Sequence, residues 1–222
     1  MLELLTSETP NGWKAAIMLE ELGVPYKVTP ISLTNLDQKQ DWYVALNPNG
    51  RIPTLVDHDD GDFAVFESGA ILIYLAEKFG RFLPADAAGR SRVIQWVMWQ
   101  MSGLGPMMGQ ATVFNRYFED RLPKVIDRYV RESQRLFGVM DARLAEHEFL
   151  AGDYSIADIA CFPWVRGHDW AQVPIDGFPH LQRWFDGIAV RPAVQRGLLV
   201  PPPPKPAEME KKTVQQGRTI LS

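Results

Sequence analysis

The sequence lacks features on which several classes of protein depend. It holds one Cys in 222 residues, so no disulfide can form within the chain and the fold gains nothing from an oxidising compartment. No uninterrupted apolar run approaches the roughly 18 residues that cross a bilayer. The first six residues also lack the basic and apolar regions of a secretory signal. We therefore expect a cytoplasmic protein without a membrane partner.

Positive charge is not in excess either. The formal net charge is -4, and the first 80 residues hold five Lys and Arg against twelve Asp and Glu. This balance argues against nucleic acid as a partner. Much of the acidity lies in the segment from Asp57 to Asp62, which is most simply a solvated turn.

Motifs for metals, nucleotides and protein nucleophiles are missing as well. The four His residues, at positions 58, 147, 168 and 180, have no metal-ligand spacing and no Cys partners, so no metal is expected. No Walker loop or nucleophile elbow is present. The glycines of residues 103–109 follow a helical pattern and have the wrong spacing for a dinucleotide fingerprint.

What the chain does have is enough apolar sequence for a sizeable core, arranged in two parts. At 46% hydrophobic residues it can form one large or two small domains. Alternating strand and helix signals predict an α/β domain over residues 1–80. A linker over 81–89, an all-α domain over 90–196 and a Pro-rich tail over 197–222 follow. The predicted strands are 2–6, 26–31, 54–56 and 63–66, and the predicted helices of this first part are 13–22 and 68–79.

Long helical periodicity characterises the second part. Two helices are predicted over 90–118 and 124–149, the first bent or broken at Gly103-Leu104-Gly105-Pro106 because Pro lacks a backbone donor. Ser155-Ile156-Ala157-Asp158 matches a capping box and predicts a helix start, and a last helix covers 179–190. We expect the tail beginning at Pro201 to be an arm on the protein surface. The alternative is that it is a ligand for a domain that binds proline-rich segments.

The start of the first helix is the best candidate for chemistry. Thr9-Pro10-Asn11-Gly12 follows a short strand, and a helix N-terminus presents unpaired amides and the positive end of the dipole. A ligand thiol there would ionise more readily than a free thiol, with Thr9 and Asn11 as donors to the sulfur. The alternative is that Asn11 is an ordinary N-cap.

Three other places in the first 70 residues are candidates for ligand binding. A cis Ile52-Pro53 bond would leave the Ile52 backbone as an open edge for a peptide. Glu67 suits an ammonium, while Ser68 and the helix amides suit a carboxylate. Gln38, with its polar neighbours, is a candidate for a second carboxylate. Surface solvation explains these three places equally well.

Taken together, four motifs resemble the cytosolic glutathione transferases. They are Thr9-Pro10-Asn11-Gly12, the segment 47–53, the segment 66–71 and the capping box 155–158. The segments 103–110 and 155–164, with the first motif, are similar to the bacterial nu class. The resemblance spans nearly the whole chain, to about residue 195.

That resemblance implies a glutathione transferase fold, with a thioredoxin-like N-terminal domain and an all-α C-terminal domain, in a homodimer. It implies glutathione or glutathione disulfide as the bound co-substrate. Its backbone would pair with Ile52 beside a cis Pro53, and Glu67 and Ser68 would hold its γ-glutamyl end. Gln38 and Arg128 match further glutathione contacts.

The activity implied by the nu class is glutathione-dependent reduction of small disulfides, with catalysis by Thr9 and Asn11 and no protein Cys. Cys161 follows the capping box on a face that we expect to be buried. We expect an acceptor pocket between the domains, lined by Met107 and Met108. Two alternatives stay open: conjugation of glutathione to electrophiles, and a non-catalytic, glutathione-binding regulatory protein.

Overall fold

The computed structural model describes residues 1–202 and 217, and these form two compact units. The first unit comprises residues 1–81 together with the described residues from 192 onward, and the second comprises residues 82–191. The sequence placed the end of the helical domain at residue 196. The structure instead returns the chain to the first unit at Pro192.

The first unit is built on a four-stranded sheet with the order β2-β1-β3-β4. Its strands are β1 (Leu2–Thr6), β2 (Tyr26–Pro30), β3 (Thr54–Asp57) and β4 (Phe63–Phe66). β1 runs parallel to β2, with Leu4 opposite Val28, and antiparallel to β3, with Leu4 opposite Leu55. Leu4 and Leu55 are fully buried, because β1 and β3 are the two central strands.

Among the described residues, this unit also contains the helices α1 (Pro10–Leu22), α2 (Asp41–Leu46), α3 (Ser68–Phe79) and α10 (Pro192–Gly197), with one-turn 3₁₀ segments at Asp37–Lys39 and His58–Asp60. α1 ends at Gly23, which takes the left-handed conformation as the sequence predicts. α2 and α10 were not predicted. α10 packs closely on α1, since a Cβ on Gly197 would lie 2.7 Å from Ile17 Cα.

The second unit is all-α among its described residues. Its helices are α4 (Ala87–Trp99), α5 (Gly105–Thr112), α6 (Pro123–Glu146), α7 (Ile156–Arg166), α8 (His168–Ala171) and α9 (Pro179–Ala189). The helical path is not broken at Gly103. It changes instead to π-helical hydrogen bonding over Gln100–Leu104, where Gly105 N donates to Gln100 O, and again over Val113–Tyr117. A π segment accommodates a locally disturbed hydrogen-bond ladder without ending the helix.

The capping box at the start of α7 is confirmed. Ser155 caps the helix, and the buried Asp158 carboxylate accepts from Ser155 N at 3.1 Å. The same carboxylate accepts from Leu150 N at 3.1 Å and from Trp184 Nε1 at 2.9 Å. Burial raises the pKa of Asp158 to about 6, although these hydrogen bonds oppose the shift. The box therefore joins α7, α9 and the segment before α7.

These units confirm the predicted fold class, an α/β part followed by an all-α part. Within the part of the chain that the structure describes, no helix combines the length and apolar character that a membrane crossing needs. The Pro-rich tail lies outside the described residues from Pro203 onward, apart from Gly217.

Candidate functional site

The N-terminus of α1 is organised by Thr9. The backbone of Thr9 is extended, with φ -142° and ψ 159°, and its hydroxyl accepts a hydrogen bond from Gly12 N at 3.1 Å. Gly12 is required here because a Cβ would lie 2.3 Å from Ser7 O and 2.4 Å from Thr6 Oγ1. α1 therefore starts tightly against the end of β1, with Thr9 as its cap.

Asn11 lies inside the first turn of α1 and is not the cap. The helix begins at Pro10, three residues before the predicted start, because Pro suits the first helical position. Asn11 is half-buried. The alternative in which Asn11 is an ordinary N-cap is therefore wrong. Asn11 lies two residues after Thr9, so both side chains are at the N-terminus of α1, the end of the helix that favours an anion.

A partly buried hydrogen-bond network fixes the turn before β3. Arg51 O accepts from Tyr43 OH at 2.8 Å and from Asn47 Nδ2 at 2.7 Å. Thr54 Oγ1 in turn donates to Tyr43 OH at 2.9 Å, and burial raises the pKa of Tyr43. The Ile52-Pro53 bond is cis, as the resemblance implies. Ile52 therefore lies two residues before Thr54, the first paired residue of β3. The hydrogen bonds to Arg51 O hold this segment in place.

The junction between β4 and α3 holds the predicted pair of ligand-binding residues. Glu67 caps α3 with φ 69° and ψ 118°, a conformation that non-glycine residues rarely adopt. Such backbone strain clusters at functional sites. The Glu67 carboxylate is exposed and accepts from Asn49 Nδ2 at 3.3 Å. Ser68 is the first residue of α3 and is 3% exposed.

Ser68 also contacts a residue that the sequence analysis missed. Lys14, on α1, is fully buried, and its Nζ donates to Ser68 Oγ at 3.2 Å. Lysine is almost never fully buried without a partner. The burial of Lys14 could have been predicted from the sequence, because Lys14 is followed by the apolar run 15–19, all of which is buried.

Gln38 lies in the 3₁₀ turn before α2. It is 3% exposed, and its Oε1 has no hydrogen-bond partner among the described residues. Gly50 packs against the same turn, since a Cβ there would lie 3.0 Å from Gln38 O. A buried amide oxygen left without a donor is unfavourable by about 1–3 kcal/mol, so it suits a ligand that supplies one.

The remaining predicted site residues belong to the helical unit. Arg128 is exposed on α6 and forms an ion pair with Glu132 at 3.7 Å, while Glu132 contacts Arg135 more closely, at 2.7 Å. On α5, Met108 is 1% exposed and Met107 is half-buried. Met107 is therefore the more accessible of the two methionines.

Protein-based thiol and metal chemistry have little support in the described residues. Cys161, on α7, is fully buried. Within residues 1–202 and 217, no group of three or more His, Cys, Asp or Glu residues is arranged to hold a metal ion. The features that remain are the capped end of α1, the turn at Ile52 and the Glu67-Ser68 junction, all in the first unit.

Comparisons with known proteins agree with this arrangement. The glutathione S-transferase N-terminal domain matches residues 9–78, and the glutathione S-transferase C-terminal domain matches residues 104–192. The disulfide-bond oxidoreductase YfcG of Escherichia coli is 40% identical over 204 residues, which cover 90% of this chain and 95% of that protein.

Solved structures extend the likeness to the three-dimensional fold. A glutathione transferase from Burkholderia graminis, with two glutathione molecules bound per subunit, has a TM-score of 0.85 and 46% identity, covering 90% of this chain and 88% of that one. A glutathione transferase from Pseudomonas putida, with one glutathione disulfide bound per subunit, has a TM-score of 0.82 and 43% identity, covering 90% and 91%. The two domain matches span more than half of the sequence, and the chain belongs to the glutathione S-transferase family.

Proposed function

We propose that this protein reduces small disulfides with glutathione, using the glutathione thiolate and no protein Cys. The observation that carries the proposal is the pairing of a capped, anion-favouring helix start at Thr9 with a single, fully buried Cys161. A reactive sulfur held at that helix start must then belong to a ligand. The name of the Escherichia coli relative, and the glutathione and glutathione disulfide in the two solved relatives, support the same reading.

Glutathione would bind across three features of the first unit. Its γ-glutamyl ammonium would pair with the exposed Glu67 carboxylate, and its α-carboxylate would accept from Ser68 and the first amides of α3. The cysteinyl backbone would pair with Ile52 beside the cis Pro53. Gln38 would donate from its side-chain NH₂ to the glycyl carboxylate, while its unpartnered Oε1, which is an acceptor, would take an N–H of the ligand.

The sulfur would then lie at the start of α1. The Thr9 hydroxyl and the Asn11 carboxamide can each donate to a thiolate, and the dipole of a 13-residue helix favours the anion. A helix N-terminus lowers a thiol pKa from about 8.5 into the range of about 3.5–7.5. A substantial thiolate fraction at neutral pH follows from this.

The reaction proceeds by two exchanges that balance without any other reductant. The bound glutathione thiolate attacks one sulfur of the disulfide, forming a mixed disulfide and releasing the other sulfur as a thiolate. The thiolate of a second glutathione attacks the mixed disulfide, releasing the second substrate thiolate and glutathione disulfide. Arg128 is the proposed contact from the helical unit, and Met107 and Met108 are the proposed lining of the acceptor pocket.

The test is turnover of bis(2-hydroxyethyl) disulfide with glutathione. We expect activity in the wild type, and a loss of at least about tenfold in the Thr9→Ala, Asn11→Ala double variant, since each lost hydrogen bond to a charged group is worth about 1.5–3 kcal/mol. No wild-type turnover, or a fully active double variant, would refute the assignment.

Conjugation of glutathione to electrophiles is the second candidate, favoured by the match to both glutathione S-transferase domains. The two activities share the thiolate and differ in the acceptor. Turnover of an aryl halide that exceeds disulfide turnover by orders of magnitude would favour conjugation. Retained glutathione binding with neither activity would point to the regulatory alternative.

We also propose a homodimer. Trp42 on α2 and Phe63 on β4 are 51% and 50% exposed, and β4 is an edge strand of the sheet. Large exposed aromatic side chains are typical of surfaces that a partner covers. Light scattering after size exclusion measures the mass directly, and a monomer at micromolar concentration would contradict this part of the proposal.

A further inference from the structure

We infer that Lys14 is a positioning residue for the α-carboxylate of the ligand, acting through Ser68. This rests on the proposed glutathione site, and it adds a residue of α1 to the part of that site formed by α3. The juxtaposition that carries it is the 3.2 Å contact between a fully buried Lys14 Nζ and Ser68 Oγ, at the first residue of α3.

The direction of the hydrogen bond decides what Ser68 can do. An ammonium only donates, so Ser68 Oγ acts as the acceptor toward Lys14, and the hydroxyl proton must point away from Nζ. A hydroxyl whose oxygen accepts from an ammonium is polarised and becomes a better donor. Ser68 is thereby prepared to donate to an anion at the start of α3.

Charge favours the same ligand group. The N-terminus of α3 already attracts an anion through the amides of its first turn and its dipole. The ammonium of Lys14 lies 3.2 Å from the hydroxyl that would touch the ligand, in an interior where charges are weakly screened. Glu67, immediately before Ser68, provides the opposite charge on the exposed side. The site is therefore divided between an acidic group for an ammonium and a basic group for a carboxylate.

A buried lysine is unfavourable for folding unless something compensates for its lost hydration. The hydrogen bond from Lys14 Nζ to Ser68 Oγ supplies part of that compensation. Because Lys14 lies on the helix that Thr9 caps and that carries Asn11, one helix would serve both the γ-glutamyl end and the sulfur of the ligand. Lys14 serves the γ-glutamyl end, and Thr9 serves the sulfur.

The test uses three ligands and measures their dissociation constants by calorimetry. Glutathione has both groups on its γ-glutamyl end, γ-aminobutyryl-Cys-Gly lacks the α-carboxylate, and glutaryl-Cys-Gly lacks the amine. In Lys14→Met we expect about tenfold weaker binding of glutathione and of glutaryl-Cys-Gly, which corresponds to one weakened charge-assisted hydrogen bond. Binding of γ-aminobutyryl-Cys-Gly should be unchanged. Glu67→Gln should show the reverse selectivity between the two analogues.

Two further variants separate a positioning role from a structural one. Ser68→Ala should weaken binding by itself, and adding Lys14→Met to it should have no further effect, because Lys14 acts through that hydroxyl. Lys27→Met removes a lysine of the same unit, exposed on β2 and bonded to Glu3 at 2.8 Å, and should leave all three affinities unchanged. In steady-state assays, Lys14→Met should raise the KM for glutathione and leave kcat nearly constant.

Folding is checked by circular dichroism before each titration. If Lys14→Met does not fold, Lys14→Gln takes its place, since its amide remains a neutral donor, and the same ligand selectivity is expected with a smaller factor. If Lys14→Met loses the same affinity for all three ligands, or loses affinity for none, the inference is overturned, while glutathione binding by the wild type stays established. A wild type that does not bind glutathione overturns both the inference and the proposed function.

Discussion

In the proposed mechanism the Thr9 hydroxyl both caps α1 and donates to the ligand sulfur, and replacing it tests the two roles separately. Its oxygen accepts from Gly12 N at 3.1 Å, which leaves its proton to donate to a ligand thiolate. Thr9→Ala removes both interactions. Thr9→Ser keeps the hydroxyl and is the matched control.

The expected change follows from the strength of a hydrogen bond to a charged group. That bond is worth about 1.5–3 kcal/mol, and one pKa unit corresponds to about 1.4 kcal/mol. Thr9→Ala should therefore raise the pKa of the bound glutathione thiol by about 1–2 units. The pKa rises because the variant loses a donor that favours the ionised form.

The rate should change less than the thiolate fraction does. A thiolate of higher pKa is intrinsically more nucleophilic, with a Brønsted coefficient of about 0.4–0.5. Below both pKa values, a shift of about 1–2 units then lowers the rate of disulfide turnover by about 3–10-fold. Above both values the variant should be at least as fast as the wild type.

The assay is a pH titration of the ultraviolet absorbance of the thiolate in the protein-glutathione complex, paired with the pH dependence of turnover. Urea unfolding measures the cap separately, and Thr9→Ala should lose about 1 kcal/mol of stability. Thr9→Ser should resemble the wild type in both measurements. A variant that loses stability but keeps the thiol pKa would show that Thr9 only caps α1, and the argument for catalysis would fail.

Three further predictions concern the rest of the chain. Cys161→Ala should keep full disulfide turnover and lose about 1 kcal/mol of stability by urea unfolding, because a buried Sγ is removed; lost turnover in a folded variant would contradict the Cys-free mechanism. Burial raises the pKa of Asp158 to about 6 from 3.8, so the native state keeps a proton that the unfolded state has lost between pH about 4 and about 6. The stability of the wild type relative to Asp158→Asn should therefore fall as pH rises through that window and level off above it, and a rise would refute the assignment. Gly197→Ala should destabilise the protein by about 1–3 kcal/mol, because its Cβ would overlap Ile17 Cα. The helical control Gly187→Ala, with nothing within 4 Å of its Cβ, should be neutral or stabilising, and equal effects would refute the packing argument.

Local sequence patterns predicted much of the framework. β1 and β4 have the predicted bounds, α3 covers the predicted residues, and the capping box before α7 is confirmed. Each of these has a strong local cause, such as a short apolar run between turns or a Ser followed three residues later by Asp. The recognisable motifs also predicted the family and the cis bond at Pro53.

Short elements and long-range contacts escaped prediction for physical reasons. α2 has six residues, of which only Tyr43 is buried, so its apolar period is too short to read. α10 is equally short, and its place in the first unit depends on a contact between Gly197 and Ile17 that no local pattern encodes. The start of α1 was predicted at residue 13 instead of Pro10, because proline is as common in turns as at the first position of a helix.

The candidate site was predicted from polar residues at turns and helix starts, while the buried lysine beside it was missed. Glu67 and Ser68 suggested a ligand because of their charge and their position at a helix start. Lys14 did not, because a lysine in an amphipathic helix is normally assigned to the solvent side. The network of Tyr43 and Asn47 around Arg51 O was likewise invisible, since it forms only when the turn before β3 closes.

The return of α10 to the first unit has a consequence for how the chain is made. α10 is synthesised more than 100 residues after Arg81. On the ribosome, the α1 face around Ile17 therefore stays uncovered until the helical unit has been translated. The ion pair of Arg196 with Glu20, at 2.6 Å, joins α10 to α1 only after that point. Release of a chain ending at residue 191 should leave an apolar strip of α1 for chaperones to recognise.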